Sequence, residues 1–425
     1  MLKAVEVKGL FELFDYKIEL KREGITIITG PNGYGKTTIL KMMHAISTHD
    51  YLFLIDLLFE KIILYLNDKQ LCIEKISDES IEIRVEGRSA IQISKDFIFE
   101  QINSLIKMPW RQMDERRWID HRTGIVHDIE STINILEPEL LGKLRVKLSG
   151  MAPFFPEVYL IREQRLLRKV PHRGKRTRHY IDDDSIEVFS ETIEEYSKEL
   201  LELIKDTLAL YSQKAQKLDS SFPRRLFEEK REISKDDFDI RFDKVKDKLK
   251  VLSKYDLSVI MDDNHPTYKE ANAKALLVYL DDTEKKLEVF TDLLERLETF
   301  TNILNKNRFI FKKLKVSKDN GFEFFAETGR RLNPTNLSSG EQQEVILLYE
   351  LLFNVSPNTL VLIDEPEISL HVAWQKEFLR DLLQIIKIKG IKVIIATHSP
   401  QIINDHWDLT VDLEETLNEE IHTRK

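Results

Sequence analysis

A glycine-rich stretch near the amino terminus constrains this chain more than anything else in it. GPNGYGKTT, Gly30 to Thr38, fits the pattern GxxxxGK[ST]. The continuous apolar run ITIIT precedes it, and a helix is expected to follow from Lys36. Glycines at this spacing let successive backbone N–H groups turn inward around phosphate oxygens, and the helix N-terminus adds partial positive charge. The binding set is then Asn32, Gly33, Gly35, Lys36, Thr37 and Thr38. Lys36 reaches the β- and γ-phosphates, and the Thr37 hydroxyl binds Mg²⁺. The alternative is a glycine-rich turn that matches by accident, and the strand–loop–helix setting argues against it.

Three further motifs suit the same chemistry. TLVLIDEPE delivers Asp364 and Glu365 at the carboxyl end of an apolar strand, where an open α/β sheet places its ligands. Asp364 is expected to hold Mg²⁺ through water, and Glu365 to orient or deprotonate the attacking water. Taken alone, Asp-Glu-Pro could simply start a helix. In LSSGEQQE, Ser338 and Glu341 have capping-box spacing, which is a structural reason for both. Ser338, Ser339 and Gly340 also make a donor-rich helix start, suited to an anion. His398, in IIATHSP, ends another apolar strand and could reach a γ-phosphate, although a lone histidine is more often structural.

The texture is α/β at both ends and helical between them. Residues 1–183 form a first lobe with the glycine-rich loop, 184–306 a helical insertion, and 307–425 a second lobe with the other motifs. In the insertion, Ile193, Tyr196, Leu200, Leu203 and Leu210 recur at helical spacing, as do Leu287, Phe290, Leu294, Leu297 and Leu304. Glu and Lys fill the positions between, which predicts a coiled-coil arm. Pro223 and Pro266 are expected to prevent one continuous helix across the segment between the two runs. YLFLIDLLFEKIILYL, from Tyr51, reads as a buried helix; its charges and length do not suit a bilayer span of about 20 residues.

Composition narrows the rest. Net charge is −9, from 64 Lys+Arg against 73 Asp+Glu, so a general basic coat for nucleic acid is excluded. Cys72 is the only cysteine, which excludes an internal disulfide and suits a reducing cytosol. The amino terminus lacks a signal-peptide pattern, so a cytoplasmic protein without a membrane partner is expected. One local reversal of charge runs from Arg162 to Arg178, and it suits a phosphate backbone or an acidic protein. A solvated loop paired with Asp182, Asp183 and Asp184 is the alternative.

In this order, the motifs resemble ABC-type ATPase heads of SMC-like and RecF-like proteins, within the wider AAA family. The resemblance implies an α/β head with a mixed sheet, an inserted coiled-coil arm, ATP and Mg²⁺ as ligands, and a head-to-head homo-oligomer. LSSGE is similar to the ABC signature, which in that family acts on nucleotide held by a second head. REQR after VYLI is placed like the Q-loop and implies Gln164 as a metal contact, with an exposed polar residue as the alternative. His371 departs from the usual D-loop aspartate. The full set also resembles the stand-alone ATPases of bacterial antiphage systems: Septu, PARIS, retron-associated operons and overcoming-lysogenization-defect nucleases. That implies a separate nuclease or toxin effector, and DNA or a phage protein as trigger. A RecF/SMC-like DNA-repair ATPase is the alternative. A transporter subunit fits poorly with the long arm, and a non-catalytic head fits poorly with the intact Lys36, Asp364 and Glu365.

Overall fold

Five short parallel strands carry the glycine-rich loop and place both ends of the chain side by side. The computed structural model describes residues 2–67, 69–105, 110–114, 117–120, 126–128, 156–161, 167–170, 188–257, 266–334, 337–370 and 372–415. These divide into two compact units. The first takes in described residues of 2–161 and 355–415; the second takes in 189–354 with a short strand at 167–170. The first unit resumes at Val355, so the LSSGE stretch shares a unit with the helical insertion.

The first unit begins with strands β1 (Leu2–Leu10), β2 (Phe14–Glu19) and β3 (Ile25–Thr29), then helices α1 (Lys36–Thr48) and α2 (Tyr51–Asp56). Strands β4 (Lys61–Leu66), β5 (Gln70–Ser77), β6 (Ser80–Val85) and β7 (Ile91–Ser94) follow, then helix α3 (Lys95–Leu105). An antiparallel sheet runs in the order β2-β1-β4-β5-β6-β7. A small sheet pairs β8 (Trp110–Asp114), β9 (Arg117–Asp120) and β10 (Val126–Asp128).

The apolar run from Tyr51 is two elements, not the single helix expected. Asp50 caps α2 by accepting from the Phe53 amide at 3.1 Å. At Leu57 the backbone turns extended, and the Lys75 ammonium donates to the carbonyls of Ile55 and Leu57. KIILYL then pairs with β1 and β5 as a strand whose Ile62 and Leu64 are buried. A helix continued through it would have left that sheet position between β1 and β5 unfilled.

The parallel sheet has the order β11-β17-β18-β3-β19. Its members beyond β3 are β11 (Val158–Ile161), β17 (Leu360–Asp364), β18 (Lys392–Ala396) and β19 (Thr410–Asp412). Every residue of β3 and β17 is buried, as strands covered on both faces require. Register aligns Asp364 with Ala396 and Ala396 with Ile28, so the ends of three strands lie level. Helix α1 buries Ile39, Leu40, Met42 and Met43 in one core with residues of both sheets. Each large aliphatic side chain withdrawn from water there contributes about 1.5–3 kcal/mol.

The second unit holds β12 (Leu167–Val170), paired with β13 (Val188–Glu191), and four long helical segments. Helix α4 (Thr192–Glu228) spans 37 residues, about 55 Å at 1.5 Å per residue. Helices α5 (Lys235–Lys254), α6 (Ala273–Leu287) and α7 (Thr291–Ile303) follow. The insertion is helical as expected, and both α4 and α5 pack on α6. The buried seam of α4 is Ile193, Tyr196, Leu200, Ile204 and Thr207; Leu203 is half-buried and Leu210 exposed.

Pro223 lies inside α4 without ending it, and the expected interruption between the two runs comes after Glu228, before the next helix begins at Lys235. Side chains take up carbonyls in the preceding turn. Ser221 Oγ donates to Lys217 and Leu218 oxygens, and Arg225 Nη2 reaches Leu218 oxygen at 2.7 Å. Arg225 also forms a fork with the buried Asp282 of α6, fixing the helix beyond the proline.

Strands β14 (Lys312–Ser317), β15 (Gly321–Ala326) and β16 (Arg331–Leu332) make a meander, with the expected turn at Asp319-Asn320-Gly321. Helix α8 (Ser339–Tyr349) completes this unit. In the first unit, α9 (Pro366–Ser369), α10 (Val372–Lys389) and α11 (Pro400–Ile403) connect the late strands.

Candidate functional site

The loop after β3 has the geometry its glycines imply. Gly33 has φ +89° with nothing within 4 Å of where a Cβ would stand, leaving a bare backbone cradle. Gly35 has φ +84°, and a Cβ there would come within 2.9 Å of Leu10 Cδ2. Asn32 and Gly33 are exposed, while Thr38 is partly buried on α1. Tyr34 is pinned from β2: Tyr16 donates its hydroxyl to the Tyr34 carbonyl at 2.9 Å, and Phe14 stacks on the Tyr34 ring. Lys36 is 5% exposed and donates to the carbonyls of Gly30 at 2.8 Å and Pro31 at 3.2 Å. Its ammonium thus lies folded over the loop that a phosphate would enter.

Residues far apart in sequence meet here. Thr37 Oγ1 on α1 donates to Asp364 Oδ1 at the end of β17, at 3.0 Å. A hydroxyl and a largely buried carboxylate held together are hard oxygen donors of the kind Mg²⁺ takes. The donor set therefore fits the ion that the sequence implies.

Glu365 follows with φ +44°, a left-handed backbone uncommon for a side chain of this kind. Its amide is tied to Ala396 oxygen at 2.9 Å, which holds the strained turn. Its Oε2 lies 2.6 Å from His398 Nδ1. Burial pushes the Glu365 carboxyl above its ordinary value, the Glu367 charge adds to that, and His398 opposes it. A carboxylate so placed, with an imidazole against it, is suited to accept a proton.

Glu367 was not singled out by the sequence, yet it belongs to this cluster. Its Oε1 accepts from Thr397 Oγ1 at 2.7 Å and from the His398 amide at 3.0 Å, and lies 3.2 Å from His398 Nδ1. The only signal was its spacing in IDEPE, two residues beyond Glu365. Asp412 was also missed: its Oδ2 accepts from Thr29 Oγ1 at 2.9 Å, tying β19 to the strand that enters the loop.

Ser338, Ser339, Gly340 and Glu341 lie in the other unit, at the start of α8. The capping box is present: the Glu341 amide donates to Ser338 Oγ, and Glu341 Oε2 accepts from the Ser338 amide at 2.9 Å. Lys312 Nζ reaches the same Oε2 at 2.6 Å. Burial acts to raise the Glu341 carboxyl, but the bonds from Lys312 and Ser338 outweigh it and hold it below its ordinary value. Ser338 and Ser339 stay exposed. Gln164, His371 and Asp182–Asp184 fall outside the described residues, as do the side chains of the Arg162–Arg178 run.

Residues 1–403 match the family described as AAA ATPase domain. The chain belongs to that family. Among relatives of this AAA ATPase, protein ea59 of Escherichia phage lambda is 36% identical over 69 residues, 16% of this chain and 13% of that protein. Solved structures with a similar course include the Smc head domain with an extended coiled coil bound to the C-terminal domain of ScpA, from Pyrococcus furiosus. That pair has 15% identity and a TM-score of 0.38 over 100% of this chain and 99% of the other. The SMC head domain of Thermotoga maritima has 10% identity and a TM-score of 0.33, covering 95% and 90%. Among the described residues of the AAA ATPase, no helix is long and apolar enough to cross a membrane.

Proposed function

We propose that this AAA ATPase binds and hydrolyses ATP in the loop of its first unit, as an SMC/RecF-like head that works in pairs. The observation that carries the reading is the meeting of Thr37 with Asp364, beside Glu365 on His398. Gly30 to Thr38 would cradle the phosphates, with Lys36 leaving its own loop carbonyls to pair with them. Thr37 and Asp364 would hold Mg²⁺, which when bound neutralises charge on the phosphate oxygens. Glu365 positions the attacking water and accepts its proton, and His398 fixes the Glu365 carboxyl.

The start of α8, where Ser338 and Ser339 are exposed, supports a second role. Presented by another copy, it would grip the same nucleotide, so that bound ATP favours the paired state and hydrolysis releases it. On this reading the chain acts in the cytoplasm in bacterial antiphage defence, and its ATP cycle controls a separate nuclease or toxin subunit. What supports this step is the motif resemblance noted above.

The test is Glu365→Gln, purified with the products of neighbouring genes. ATP binding should persist while hydrolysis is lost and a higher-order assembly accumulates. A variant that turns over ATP at the wild-type rate would refute the role of Glu365. A co-purifying nuclease would support defence, whereas hydrolysis stimulated by DNA alone would favour the DNA-repair reading.

A further inference from the structure

We infer that Glu367 is a positioning residue, whose carboxyl group clamps the loop after β18 so that His398 faces Glu365. This rests on the hydrolytic reading above and adds a residue to it. The short turn that follows β17 carries both glutamates, and the Thr397–Ser399 loop carries the histidine. Glu367 Oε1 accepts from the Thr397 hydroxyl at 2.7 Å and from the His398 amide at 3.0 Å. It thereby holds that loop by both a side chain and the main chain. The same oxygen is 3.2 Å from His398 Nδ1, next to the shorter 2.6 Å contact with Glu365. One imidazole edge therefore faces two carboxyl groups, and ring rotation away from Glu365 costs both contacts.

A second layer braces this arrangement. Gln375 on α10 donates from Nε2 to the carbonyls of Glu367 at 3.2 Å and Leu370 at 3.1 Å, and accepts from Ser399 Oγ at 3.1 Å. The Ser399 amide in turn donates to Thr397 Oγ1 at 3.0 Å. Thr397, Ser399 and Gln375 are each at least nine-tenths buried, so the turn and the loop form one hydrogen-bonded piece. Buried networks of this kind rigidify what they connect.

Packing alone is a poor reason for a carboxyl group here. The side chain of Glu367 is 9% exposed, and its Oε2 is buried without a hydrogen-bond partner. A buried polar atom left unsatisfied is costly, and a smaller neutral residue would fill the place more favourably. Glu367 also reaches past the fixed main chain to the His398 ring that touches the candidate base, which a packing residue need not do. Asp364, three residues earlier, is turned instead toward Thr37, so the two acids serve different partners.

The test is a set of variants assayed for ATP hydrolysis and, separately, for ATP binding. Glu367→Ala should lower kcat about 100-fold, the cost of a misplaced catalytic group, while the Kd for ATP stays unchanged. Glu367→Gln keeps an acceptor for Thr397 and His398 and should recover most of that loss. In a His398→Ala background, Glu367→Ala should add no further loss, because its effect passes through the ring. Multiplying losses in the double variant would overturn the inference, as would wild-type kcat in Glu367→Ala. Unchanged ATP binding shows that each variant is folded. A wild-type protein that hydrolyses no ATP would instead refute the functional reading itself.

Discussion

Replacing Arg308 by methionine removes one half of an ion pair that lies almost wholly out of water. The Arg308 and Glu344 side chains are 1% and 3% exposed, and Arg308 Nε stands 2.9 Å from Glu344 Oε1. Glu344 belongs to α8, the helix whose first turn is the LSSGE corner. With the guanidinium gone, the carboxylate stays buried and loses this ion pair. Removal of one partner of a buried pair costs about 3–5 kcal/mol. For a unit of this size, at about 2–4 °C per kcal/mol, that is a fall in melting temperature of about 10 °C. Scanning calorimetry on Arg308→Met, Glu344→Leu and the double variant measures it. Methionine and leucine together fill the space without a charge, so the double variant should regain most of the loss. The reasoning is refuted if Arg308→Met melts within about 3 °C of wild type, a change of only about 1 kcal/mol. It is equally refuted if the double variant loses the sum of the two single losses.

The Glu341 carboxyl lies below its ordinary value in the fold, so it contributes stability above the ordinary carboxylate range that is lost as pH falls through the lower, folded value. Lys312→Ala should cost about 1 kcal/mol at neutral pH by chemical denaturation, and the two proteins should converge in acid. For Glu365 the sign reverses: its carboxyl is raised, so the fold loses stability as pH climbs through that raised value. Glu365→Gln should therefore melt higher than wild type at neutral pH, with the difference gone below the ordinary carboxylate range. Thr37→Val keeps the shape but not the hydroxyl, so the gain in ATP affinity on adding Mg²⁺ should vanish in titration calorimetry. Gly35→Ala forces a side chain into a φ of +84° against Leu10, and equilibrium dialysis should show ATP binding lost.

Much of the candidate site was legible because three of the four motifs sit at the end of a buried strand. ITIIT, TLVLI and IKVIIAT are continuous apolar runs, so the residues after them fall at one edge of one sheet. The capping box at Ser338 was legible for a local reason: its donors and acceptors are three residues apart. Glu367 and Asp412 were not, because their partners Thr397 and Thr29 are brought near only by parallel pairing. The run from Tyr51 misled because a short apolar stretch carries no period that separates helix from strand. The deciding cation, Lys75, arrives from a different strand. The place of the break after Pro223 was not legible, since Arg225 finds its anchor at Asp282 on another helix.

The strand order has a consequence for synthesis. In the parallel sheet β3 lies between β18 and β19, so the segment leading into the glycine-rich loop has no sheet neighbour until the ribosome has passed Ala396, and its second edge stays open until Asp412. Until then ITIIT is an unsatisfied strand with apolar side chains on both faces, the kind of edge that aggregates or recruits a chaperone. A translation product cut before Lys392 therefore lacks both strands that flank β3. The five-stranded parallel sheet is thus complete only once the chain has been translated through Asp412.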